Sequence, residues 1–145
     1  MRQIVPVIAS GPYGFEHVNV AEQRREPNSL LNWMERIIRM RKEVPEIGWG
    51  DFAVLETDAP EVLAIRYDWR GNAVVLVHNL DATPREMRMG IAGDEGENAG
   101  LLVNLLSSDH SRADEDGRHT LLLEPYGYRW YRVGGLDYLL RRSEF

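Results

Sequence analysis

Cysteine is absent from this 145-residue sequence. That excludes a disulfide framework, a thiolate nucleophile and a cysteine-ligated zinc site, and it leaves the redox compartment open. Long apolar runs are lacking as well. The longest, such as AVVLVHNL from Ala73 to Leu80, fall far below the ~20 residues that span a bilayer. The apolar stretch within MRQIVPVIASG is too short for a secretory signal, so a soluble chain of the cytoplasm with no membrane partner is expected. Basic residues are in the minority, 17 against 23 acidic, for a net charge of −6. They form no phosphate-reading stripe, and nucleic acid is not an expected partner. His17, His78, His110 and His119 lack the spacing of a metal-binding pair, and no glycine set matches a phosphate loop. Neither a metal nor a cofactor is expected.

What the sequence does contain divides into two grammars. Residues 1–27 hold Pro6, Gly11, Pro12, Gly14 and Pro27 without a sustained period, which predicts an extended arm or loop. PNSLLNWMERIIRMRK then reads as one long amphipathic helix over residues 28–44. Asn28 or Ser29 can cap it, and Leu30, Leu31, Met34, Ile37, Ile38 and Arg41 recur at helical spacing. Pro45 and Gly48 end it, and Arg41 with Lys42 suits the carbonyl end of the helix dipole.

After GWGD the period changes to two. Seven candidate strands follow within residues 50–133: DFAVLET, EVLAIRYDW, NAVVLVHNL, REMRMGI, AGLLVNLLSS, HTLLLEP and GYRWYRV. Turn signals separate them, among them Arg70-Gly71-Asn72 and Asp116-Gly117. Short strands with short connections predict a mainly β chain, a seven-strand antiparallel β-sandwich. Phe52 and Val54 are expected to open its core, and Tyr128 with Trp130 to close it. The tail, residues 134–145, reads equally well as a short helix or a last strand.

The stretch from Tyr13 to Phe52 has a further property. Tyr13-Gly14-Phe15, Val18-Asn19-Val20, Gln23, Pro27, the run Ser29 to Trp33 and the pair Arg41-Lys42 resemble the last barrel helix, with its preceding loop, in glycoside hydrolase family 13, the α-amylase superfamily. Within the family the similarity is greatest to the trehalose-synthase branch, with Glu26 standing where Asp is usual. AVVLVHNLDATPREMRM and LEPYGYRWYRV resemble strands of that family's C-terminal domain, so the resemblance covers residues 13–133. It implies that the helix is the eighth of a (β/α)₈ barrel whose other repeats are missing from this chain, followed by a C-terminal sandwich of the α-amylase type.

The resemblance also implies a parent chemistry, maltose–trehalose interconversion or α-glucan hydrolysis, with maltose or an α-glucan as ligand in the parent context. Such a retaining reaction needs two carboxyl groups about 5–5.5 Å apart. The family's catalytic strings do not occur here, and no catalytic residue is expected. Ser107 and Ser108 beside His110 lack the third group of a triad. In the parent, Tyr13, Phe15, Asn19 and Gln23 would border a sugar pocket, because barrels place their sites on that face. Trp69 and Tyr126 are candidates for stacking on a sugar. Leu30, Leu31, Met34, Ile37 and Ile38 are candidates for self-association as a homodimer. The expected role is a non-catalytic C-terminal part that stabilises the barrel. The alternatives are a free-standing carbohydrate-binding module and a structural subunit docking on a separately encoded barrel.

Overall fold

The computed structural model describes residues 7–91 and 99–134. The tail beyond them, and most of the predicted loop from Gly93 to Gly100, lie outside the described residues. The chain divides into two compact units, Met1–Glu43 and Val44–Phe145.

In the first unit, turns at residues 10–18 lead into α1 (Val20–Arg25), followed by α2 (Leu30–Glu43). The sequence predicted an extended arm or loop before α2, with no helix in it. The short helix forms because the Asn19 side chain accepts the Glu22 amide at 2.9 Å, supplying one of the acceptors that a helix start lacks. Of the two caps predicted for α2, Ser29 is the one used: its Oγ accepts the Asn32 amide at 3.2 Å. Arg41 and Lys42 occupy the last turn, as their charge favours.

The second unit begins with α3 (Glu46–Trp49), so the residues just before Gly50 group with the strands. The strands are β1 (Asp51–Leu55), β2 (Val62–Trp69), β3 (Asn72–Asn79), β4 (Arg85–Gly90), β5 (Leu101–Asn104), β6 (Ser111–Arg112), β7 (Arg118–Leu123) and β8 (Tyr128–Val133). Among the described residues there are eight strands rather than the seven expected, because β6 adds a two-residue strand that the sequence reading did not include. Every pairing among the described residues is antiparallel. One sheet has the order β1-β2-β3-β8-β5-β6 and the other pairs β4 with β7. Arg70 and Gly71 both adopt positive φ (50° and 72°) in the β2–β3 connection, the backbone that a two-residue hairpin requires.

The core lies between the sheets. Ala64, Val75, Val77, Leu102, Tyr131 and Val133 of the large sheet meet Met87, Met89, Leu121 and Leu123 of the small one. Each such side chain stabilises the fold by roughly 1.5–3 kcal/mol. Two expectations about faces are corrected here. In β1, Phe52 and Val54 are 69% and 63% exposed; their partners Tyr67 and Ile65 lie on the face away from the small sheet, and Leu55 is the β1 residue that packs on the core. In β8, Tyr131 enters the inter-sheet core. Trp130 is buried beside Leu76 on the opposite face, and Tyr128 there is only half-buried.

Candidate functional site

The residues predicted to border a sugar pocket in a parent enzyme fall into two kinds. Tyr13 and Phe15 are 77% and 51% exposed. Asn19 and Gln23 are engaged in holding the two helices. Asn19 caps α1 and donates from Nδ2 to the Phe15 carbonyl at 3.0 Å. Gln23 Oε1 accepts the Leu31 amide at 3.0 Å, and the Gln23 carbonyl accepts from Ser29 Oγ at 2.5 Å and from Asn32 Nδ2 at 3.0 Å. Asn32 also donates to the Glu26 carbonyl at 2.7 Å. The sequence run Gln23 to Asn32 therefore encodes a hydrogen-bonded corner between α1 and α2. Beside it lies an apolar groove of about 360 Å³ lined by Val18, Val20, Leu30, Leu31 and Met34. Leu30, Met34 and Ile38 are 67%, 42% and 46% exposed, while Leu31 and Ile37 are half-buried.

In the second unit the two stacking candidates stand at opposite ends of β3. Trp69 pairs with Asn72 at its start, and the Tyr126 amide donates to the Asp81 carbonyl just past its end. The Arg70 guanidinium lies over the Trp69 ring, 4.5 Å from its centroid, and Tyr126 is 67% exposed. The fold does not bring them together into one platform.

The carboxylates are drawn to arginines. Asp81 pairs with Arg85, Asp114 with Arg88, Glu124 with Arg129, and Glu46 with Arg132. Arg85 hydrogen-bonds Asp81 and holds its pKa below the ordinary carboxylate value. The Arg118 amide, then Arg88, does the same for Asp114, and Arg129 does it for Glu124. A general acid for glycoside chemistry needs the opposite shift, upward. Among the described residues no group of three or more His, Asp or Glu could hold a metal ion.

His110 does not act on Ser107. Its Nδ1 accepts the Asn104 amide at 3.2 Å, whereas Ser107 accepts from Asn104 Nδ2 at 2.7 Å and donates to Asp109. A different serine–histidine pair, unremarked in the sequence, is buried in the sandwich. His119 Nε2 donates to the Ala99 carbonyl at 2.8 Å, which leaves Nδ1 to accept from Ser111 Oγ at 2.9 Å. The alternation of HTLLL already places His119 on the side of Leu121 and Leu123. Asn79 was likewise missed: its Nδ2 donates at 2.8 Å to both the Thr83 and Glu124 carbonyls, and its Oδ1 accepts the Asp81 amide at 3.0 Å.

Residues 71–132, from the β2–β3 turn into β8, match the family described as "Sucrose hydrolase-like, C-terminal domain". Along 137 residues the chain is 29% identical to a trehalose synthase of Pimelobacter sp. (strain R48), covering 92% of this chain and 23% of that protein. It is 28% identical over 137 residues to a trehalose synthase of Thermus thermophilus, covering 94% of this chain and 14% of that protein. The resemblance to the C-terminal part of a glycoside hydrolase family 13 enzyme holds. An α-amylase of Geobacillus thermoleovorans, solved in complex with acarbose, shares the fold at a TM-score of 0.63 and 21% identity over 76% of this chain and 24% of its own. The chain thus spans less than a quarter of the length of these two curated relatives. Its strands resemble the C-terminal domain of trehalose-synthase-like and amylase-like family 13 enzymes.

Proposed function

We propose that this polypeptide is the non-catalytic C-terminal part of an enzyme that interconverts maltose and trehalose. Its work there is to stabilise the catalytic barrel by completing and covering its last helix. The observation that carries the reading is the match to trehalose synthases over 137 residues, which runs through the helical unit as well as the strands. Two features support the division of labour. Leu30, Met34 and Ile38 offer an apolar stripe of the kind a barrel helix buries, on a helix whose start is fixed by Ser29 and Gln23. The carboxyls that clearly shift are pulled down by their hydrogen-bond donors, arginine side chains and backbone amides, and so suit structure better than proton donation. The enclosing enzyme would work in the cytoplasm.

The test is incubation of the purified chain with maltose, trehalose and p-nitrophenyl α-glucoside. No turnover above an empty-vector preparation is expected. Turnover that co-elutes with the chain overturns the reading. In the enclosing enzyme, replacing Met34 and Ile38 by Ser should lower the melting temperature while kcat of the folded fraction stays unchanged.

A further inference from the structure

The large sheet ends in two edge strands, β1 and β6. An edge presents unpaired backbone N–H and C=O groups, and proteins blunt it with short strands, bulges, proline or lysine. β6 is blunted by its length of two residues. β1 carries none of these devices. It is five residues long, reads Asp51-Phe52-Ala53-Val54-Leu55, and keeps an unbroken register with β2 from Asp51–Asp68 to Leu55–Ala64, so no bulge turns it aside. Among the described residues no strand pairs with its other edge. Its side chains are open as well: Phe52 and Val54 are 69% and 63% exposed on one face, and Ala53 is exposed on the other.

The strand that fits this edge is β1 itself. When a second copy is turned antiparallel about Ala53, Asp51 faces Leu55, Phe52 faces Val54 and Ala53 faces its own counterpart. All of β1 is then paired. Each aromatic ring meets a β-branched side chain, a favoured pair across antiparallel strands, and the smallest residue sits on the axis. Charge agrees with this register, since Glu56 falls opposite Gly50 and no two acidic residues oppose each other. Sliding one copy by two residues shortens the paired run, and sliding it by four towards the start of the strand sets Asp51 against Asp51, which like charges disfavour.

We propose that β1 is a self-association edge, at which two copies of this chain pair antiparallel across a two-fold axis through Ala53 and run their large sheets into one. The pairing adds about four to six backbone hydrogen bonds. Five residues a side are fewer than the roughly 20–30 of a stable interface, so the contact is weak, with a Kd on the order of a few hundred micromolar. It makes no use of the α2 stripe. The inference rests on the sheet edge alone, so the turnover test above neither supports nor overturns it.

The chain has no cysteine, so one introduced thiol reports on the axis. Residues directly opposite in an antiparallel pair have Cα atoms about 4.5–5.5 Å apart, inside the span of about 4.4–6.8 Å that a disulfide bridges. The full chain carrying Met34→Glu and Ile38→Glu, which removes the helical stripe, receives Ala53→Cys, Val54→Cys or Ser108→Cys and is oxidised at about 200 µM. Ala53→Cys is expected to form the cross-linked dimer about tenfold faster than Ser108→Cys, an exposed loop position. Val54→Cys should be no faster than Ser108→Cys, because Val54 faces Phe52 and lies about 7–8 Å from its own counterpart. Phe52→Lys should slow the Ala53→Cys cross-link about tenfold, and adding Val54→Glu should restore it by setting opposite charges face to face. Sedimentation of the cysteine-free Met34→Glu, Ile38→Glu chain to about 1 mM gives a reading independent of the thiol, with a dimer expected that Phe52→Lys abolishes. Three results overturn the proposal: equal cross-linking at the three positions, faster cross-linking through Val54→Cys than through Ala53→Cys, or a monomer throughout the sedimentation series.

Discussion

Arg132 Nη1 donates to Glu46 Oε1 at 2.7 Å, joining two side chains that are 8% and 0% exposed and 86 residues apart in the chain. This pair fastens α3 to β8 on the face of the large sheet away from the sandwich core. Breaking a buried pair from one side strands a charge, so Glu46→Ala should cost about 3–5 kcal/mol. A double replacement, Glu46→Leu with Arg132→Met, removes both charges and should cost much less. Urea denaturation of the three proteins decides. Equal losses in the single and double variants would mean that packing, not charge, is what α3 contributes.

Asn79 ends β3 and ties the turn that follows it to Glu124, 45 residues further along the chain. Its amide group serves Thr83, Glu124 and Asp81 at once while the residue is only 2% exposed. Asn79→Ala leaves those three backbone groups short of a partner; each would cost about 1–3 kcal/mol if fully buried, but water partly reaches them, so a total near 2–4 kcal/mol is expected. Asn79→Asp should be nearly as harmful, because a carboxylate cannot donate to the two carbonyls. Chemical denaturation measures the losses. If Asn79→Asp matched the parent protein, the two donated bonds would not be significant contributors.

The strands were legible because their alternation is clean: His119, Leu121 and Leu123 are buried and their neighbours exposed. Which face meets the second sheet was not legible at β1 and β8. Both faces of the large sheet are apolar, with Val74 and Leu76 buried like Val75 and Val77, so alternation cannot say that Tyr131 rather than Trp130 points between the sheets. β6 escaped because two residues carry no period, and α1 because six residues between turns do not either. The Gln23–Asn32 corner was visible only as a resemblance; what it does emerged from its hydrogen bonds. Pairs such as Glu46 with Arg132 depend on the tertiary fold, and local pattern does not contain them.

Tyr131 gives an alkaline signature. Burial between the sheets, with Asp109 nearby, pushes its phenol up to about 12 from an ordinary 10.0. A raised folded value means the unfolded chain gives up this proton first, so the stabilisation is complete below pH 10 and is lost as pH rises through about 12. The phenolate absorbance step that disappears in Tyr131→Phe should be centred near pH 12. A step centred near pH 10 would place the ring in water and contradict its position in the core.

The last prediction concerns the stripe on α2 in the chain by itself. Leu30, Met34 and Ile38 are 67%, 42% and 46% exposed, and Val18 and Val20 beside them are 48% and 58% exposed, so the apolar surface continues into the neighbouring groove. Each such side chain gains roughly 1.5–3 kcal/mol when fully buried, so the stripe favours association wherever no barrel covers it. A self-complementary patch along one helix is most simply satisfied by a two-fold pairing of α2 with α2. We expect the isolated chain to dimerise at tens of micromolar, on the order of what a few such contacts support. Replacing Met34 and Ile38 by Glu should yield a folded monomer whose β-sheet circular dichroism is unchanged. Sedimentation equilibrium is the measurement, and a monomeric parent chain with an intact helical signal would end the dimer proposal.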